Sequence, residues 1–67
     1  MNKVTKGLYR HYKGGVYEVI EPCAIDTETG AKYVIYKGQN GTVWTRTIEA
    51  FTERIGSKGT LRFKKIE

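Results

Sequence analysis

Trp44 and Arg46 lie two residues apart in the stretch Gly41–Arg46, GTVWTR, and Trp44 is the single tryptophan of the chain. On a strand, residues two apart project from the same face. An indole beside a guanidinium suits either a packed cap on a small core or a stacking site for a planar anionic ligand. The basic residues favour an anion. Formal net charge is +5. Lys3, Lys6, Arg10 and Lys13 all precede the first acid, Glu18, and Lys58, Arg62, Lys64 and Lys65 cluster at the other end. Such a balance suits nucleic acid, nucleotides or an acidic protein surface. It also suits a solvated surface that keeps a small protein in solution.

Catalytic chemistry is poorly supplied. A nucleophile needs an adjacent base and a third group to orient it. His11 is the only side chain with an unperturbed pKa near neutrality, and its strand neighbours at i±2, Tyr9 and Lys13, provide no orienting carboxylate. Asp26 and Glu28 lie in a polar loop, where acids are ordinarily solvated. Gly14-Gly15 joins two strands instead of opening a helix, so it is no phosphate loop. One cysteine, Cys23, and one histidine fall short of a zinc site and cannot form an internal disulfide. Binding without catalysis, metal or cofactor is therefore expected.

The candidate ligand-binding residues are Tyr9, Arg10, His11, Lys13, Tyr36, Trp44, Arg46 and Arg62. Lys13, Arg46 and Arg62 would meet phosphate, and Tyr9, Tyr36 or Trp44 would stack on a base. Against this, a chain with eight Phe, Trp and Tyr residues needs them for its core, and on that ground Trp44 and Tyr17 are expected inside. Three partner classes follow. The first is a nucleic acid or nucleotide. The second is an acidic protein partner held in an aromatic groove. The third is a second copy of the chain, forming a homo-oligomer that holds a small anion between subunits.

Sixty-seven residues make one domain, and a chain of that size buries only about 60% of its unfolded surface. A lone thiol fits a reducing compartment. No apolar run is long enough for a signal peptide or a membrane span. A cytoplasmic protein of bacterial or viral origin, without membrane partners, is the expectation.

The elements that must position the candidate residues are short. Residues 1–6 are polar and expected to be flexible, leaving 7–67 as the domain. Gly7–Lys13 reads as a first strand, turned by Gly14-Gly15. Val16–Ala24 is a second strand whose broken alternation predicts a bend, with Pro22 at an edge or bulge. Ala31–Lys37 and Thr42–Arg46 are the third and fourth. A two- or four-residue loop between them would put Tyr33, Ile35, Lys37, Trp44 and Arg46 on one face and Val34, Tyr36, Val43 and Thr45 on the other. A three- or five-residue loop swaps these sets. Ile48, Phe51 and Ile55 then form a helical stripe, with Thr47 as N-cap and Gly56 as terminator, giving a helix over about 48–55. Thr60–Ile66 closes the chain as a fifth strand, Leu61 and Phe63 inward. Four meandering strands, a short helix and one strand is the order of a mainly β, five-stranded SH3-like barrel. An OB-type barrel would want a longer chain and a helix between its third and fourth strands.

Several stretches carry a resemblance. Gly7–Gly14, GLYRHYKG, is similar to the opening G-x-Y-R-H-[YF]-K-G of the bacterial family called domain of unknown function 1653. Ala24–Thr29 resembles its A-x-H-[ST]-E-T, with Asp26 where the family usually has histidine. Val34-Ile35-Tyr36 resembles its V-V-Y. Trp44, Arg46 and Phe51 match its W-x-R-P-x-x-x-F, with Thr47 in place of the proline. Arg62-Phe63 resembles its closing R-F. The turn between strands three and four is about two residues shorter than the family's. The resemblance implies a small SH3-like barrel; the family has no established activity, so it adds almost nothing on function, and no role for the family's loop histidine passes to Asp26.

Overall fold

The computed structural model describes residues 4–67. The chain is mainly β, with β1 (Gly7–His11), β2 (Val16–Ile25), β3 (Lys32–Gly38), β4 (Val43–Thr47), helix α1 (Ile48–Phe51), β5 (Arg54–Ile55), β6 (Thr60–Leu61) and β7 (Phe63–Lys65). Five strands form one antiparallel sheet in the order β4-β3-β2-β1-β7, and β5 and β6 form a separate hairpin. β2 bends as its composition predicts. Its register against β3 shifts between Val19 and Glu21 and again between Glu21 and Ala24. Pro22 sits inside the second irregularity, where its missing donor costs no ladder bond.

The bend curls the sheet around a core of Val4, Tyr9, Val19, Val34, Tyr36, Phe51 and Phe63. Phe51 of α1 and Phe63 of β7 stack at 4.2 Å with their planes 3° apart. Tyr9 and Tyr36 meet Phe51 edge-on, each at 5.4 Å. Such pairs contribute roughly 0.5–1.5 kcal/mol each beyond the area they bury.

The architecture departs from the expectation at five points. The ladder does not close into a barrel: β4 and β7 end the sheet without pairing to each other. The expected fifth strand is interrupted at Arg62, which leaves β7 only three residues long. Helix α1 stops at Phe51 instead of running to 55. Thr47 caps it as predicted, its Oγ1 accepting from Ala50 N–H at 3.1 Å. After Thr52 the chain leaves the helix because Arg54 and Ile55 pair with Leu61 and Thr60. Gly56 serves that hairpin, not a helix end. Leu61 is exposed, not inward.

The first hairpin turns at Tyr12–Gly14, one step earlier than Gly14-Gly15 alone would place it. His11 N–H donates to Gly15 O, and Gly14 N–H to His11 O. The flexible segment expected over 1–6 does not extend to Val4 and Thr5. Val4 is buried in the core, and Thr5 exchanges two hydrogen bonds with the Tyr9 hydroxyl. Residues 1–3 of that segment lie outside the described residues.

Candidate anion-binding cleft

The β3–β4 hairpin decides which side chains meet. Gly38 N–H donates to Thr42 O, and Gly41 N–H donates to Gly38 O. Gly41 adopts φ +85°, a conformation that costs glycine little. The loop is therefore the three residues Gln39-Asn40-Gly41, a turn followed by a left-handed glycine. That length selects the swapped register. Trp44 lies opposite Tyr36, and Arg46 opposite Val34. The assignment that grouped Trp44 and Arg46 with Tyr33 and Ile35 is thus overturned. Trp44 and Arg46 still share a face, but it is the concave one, with Tyr36.

There, His11, Tyr17, Tyr36, Trp44, Arg46 and Phe63 line an open cleft of about 190 Å³. Arg46 Nε donates to the Tyr36 hydroxyl at 2.9 Å, and its guanidinium carbon lies 5.8 Å from the Phe63 ring centroid. Among the described residues the one ion pair is Arg62–Glu53. The two terminal nitrogens of Arg46 therefore face no carboxylate. Trp44 is 50% exposed, so the indole is not the core residue that the aromatic count suggests. As an edge-strand residue it has no further strand to cover it.

His11 forms the opposite wall. Its ring packs edge-on against Phe63 at 4.9 Å, and its Nδ1 accepts from Lys13 N–H at 3.2 Å. With Nδ1 engaged as acceptor, neutral His11 carries its proton on Nε2. Burial lowers its pKa below the ordinary histidine value, and the charges of Arg46, Arg62 and Lys13 lower it further. Three cations felt by one imidazole mark a locally positive field.

The remaining candidates are placed elsewhere. Tyr9 is buried beneath Lys65, whose Nζ lies 5.1 Å from its ring centroid, so it cannot stack on a ligand. Tyr36 is 5% exposed and reaches the cleft mainly as the hydroxyl that steadies Arg46. Arg62 is not a free phosphate ligand. Its Nη2 donates to Glu53 Oε1 at 2.8 Å, and its Nε is buried without a partner among the described residues. Arg10 lines a neighbouring groove with Tyr12, Leu61, Lys64 and Ile66, which His11 also borders. Lys13 stands in the exposed turn and contributes charge more than contact. Asp26 is a turn former, its Oδ1 accepting from Glu28 N–H at 2.9 Å.

Tyr17 and Phe63 line the cleft but were not among the candidates. Phe63 is marked in sequence as an inward residue of the last strand and by its place after Arg62, neither of which points to a ligand. Tyr17 carries no signal beyond being an aromatic residue on a strand. Among the described residues no helix is long and apolar enough to cross a membrane.

A family model described as Protein of unknown function (DUF1653) matches residues 7–65. No curated protein and no solved structure matches the chain. The match spans the seven strands and the helix of the described residues, and the chain belongs to that family.

Proposed function

We propose that this member of the family is a binding module for a flat anionic ligand, a nucleotide or an unpaired nucleotide of a single strand. One observation carries the reading: Arg46 is held by the Tyr36 hydroxyl, its terminal nitrogens without a partner among the described residues, next to a half-exposed indole. A guanidinium already fixed at Nε loses little further entropy on meeting phosphate. A base laid on Trp44 would add roughly 1–3 kcal/mol. His11 would offer Nε2–H from the other wall. Among the described residues no carboxylate bonds to His11, which favours holding a ligand over proton transfer.

Amide shift mapping against adenosine monophosphate, inorganic phosphate, a single-stranded oligonucleotide and a duplex tests the reading. Saturable shifts at His11, Trp44 and Arg46 are expected with the monophosphate and the single strand. Inorganic phosphate, lacking a base, should bind more weakly. The duplex should bind weakly and lose that binding steeply with salt. A response limited to the duplex, centred on Lys64 and Lys65, would replace the cleft with plain surface charge.

A further inference from the structure

The sheet leaves two edges unpaired, and their chemistry differs. β7 carries Lys64 and Lys65, an ordinary guard against unwanted strand pairing. β4 reads Val43-Trp44-Thr45-Arg46-Thr47, with no lysine, proline or bulge. The Gly38–Thr42 bond fixes the alternation of the hairpin. Trp44 and Arg46 exchange their backbone bonds with β3, so the N–H and C=O groups of Val43 and Thr45 point away from it. None of those four groups has a partner among the described residues, and Val43, Trp44 and Thr45 are all exposed.

We infer that β4 is a dimerisation edge: it pairs antiparallel with β4 of a second copy, Thr45 opposite Thr45, and this completes the cleft from both subunits. The register follows from charge. The strand has one charged residue, Arg46. Pairing about Thr45 sets Arg46 of one copy opposite Trp44 of the other, so a cation meets an indole and never its own kind. Val43 then faces Thr47, and the two Thr45 side chains meet, a favourable cross-strand pair. Trp44 and Arg46 share the concave face, so each indole lies between two guanidinium groups, one from each copy.

A second copy suits this edge better than an arbitrary strand because the edge complements itself. A chain whose core, among the described residues, is seven side chains also gains from association. The net charge of +5 per copy opposes pairing. That repulsion is screened beyond about 8 Å at physiological ionic strength, and an anion in the cleft would offset it further. The pairing needs no ligand; only the shared ligand site rests on the function proposed above.

Sedimentation velocity across a concentration series, with and without adenosine monophosphate, tests the pairing. The wild type should reach twice its 7.6 kDa mass, and the ligand should move dimer formation to lower concentration. Thr45→Lys sets two like charges face to face only in the dimer and should give a folded monomer, checked by its amide spectrum. Thr27→Lys adds the same charge in the exposed β2–β3 turn and should dimerise as the wild type does. Oxidised Cys23→Ser/Thr45→Cys should form a covalent dimer, since directly bonded partners on antiparallel strands lie about 5.5 Å apart at Cα. Emission from Trp44, the single tryptophan, should shift on dilution as the guanidinium opposite it leaves. A wild-type monomer at every concentration, with or without ligand, overturns the pairing and leaves the edge to a strand from another protein. A Thr45→Lys protein that still dimerises moves the interface elsewhere. Monophosphate binding to a monomer would break the pairing and keep the cleft; a dimer that ignores the monophosphate would do the reverse.

Discussion

Tyr36 and Trp44 are cross-strand partners on one face of one sheet, yet Tyr36 is 5% exposed and Trp44 50%. Their sequence surroundings are alike: each stands in a run of β-branched and polar residues. The difference is one strand of depth. β3 has neighbours on both sides, so the rings of Tyr17, Phe51 and Phe63 close over Tyr36. β4 has a neighbour on one side only, and the curl of the sheet leaves its outer ring at the rim. An aromatic ring in a five-stranded curl is thus core or contact surface according to strand order, which composition does not encode. The pair is also chemically joined, since Tyr36 presents its hydroxyl to Arg46 beside Trp44.

That contrast can be broken most forcefully from the buried side. Tyr36→Ala should cost on the order of 3–5 kcal/mol, the scale of buried aromatic truncations. In a domain this small that leaves the chain largely unfolded in a urea titration followed by circular dichroism. Trp44→Ala should change the stability of the monomer by no more than about 0.5 kcal/mol, the usual range for surface sites, in a urea titration run below the dimerisation concentration. The same variant should lose roughly 1–3 kcal/mol of monophosphate affinity by calorimetry. If it instead unfolds the protein, the indole is core after all.

Tyr36→Phe separates the ring from its hydroxyl. It should cost about 0.5–1.5 kcal/mol of stability and weaken monophosphate binding by freeing Arg46, with the fold intact by amide shifts. The smallest effect is that of pH. His11 titrates below its unfolded value of 6.5, through burial and then the charges of Arg46, Arg62 and Lys13. The unfolded chain therefore takes up this proton more readily than the folded one. The contribution of neutral His11 to stability is present above pH 6.5 and declines as pH falls through the lowered folded value. A bound anion works in the opposite sense, favouring the imidazolium, while the phosphate loses its own second charge at about pH 6, in the same window. His11→Gln should flatten the stability trend and lose more monophosphate affinity on acidification than the wild type.

Much of the frame is legible in the residues. The first four strands, the bend at Pro22, the Thr47 cap and the start of the helix all follow from local chemistry, because each needs only its neighbours. Three features required longer-range information. The register of β3 against β4 turned on whether Gly41 ended a two-, three- or four-residue loop, and one residue of difference exchanges the faces. The helix stripe over Ile48, Phe51 and Ile55 was genuine as a pattern. Pairing of Arg54 and Ile55 with the segment after Gly59, tied by Arg62 to Glu53, outweighed a second helical turn. Tyr9 and Arg62 matched the profile of ligand residues but are engaged inside the protein, by Thr5 and Glu53. Trp44 and Arg46 kept their shared face because a spacing of two survives any choice of register.

The side-chain N–H signals of Trp44 Nε1 and Arg46 Nε, followed through one adenosine monophosphate titration, test the cleft most directly. Both should shift together along one saturable curve, with the Arg46 signal still hydrogen-bonded to Tyr36 at the end. Movement of backbone signals near Lys64 and Lys65 while these two stay fixed would contradict it.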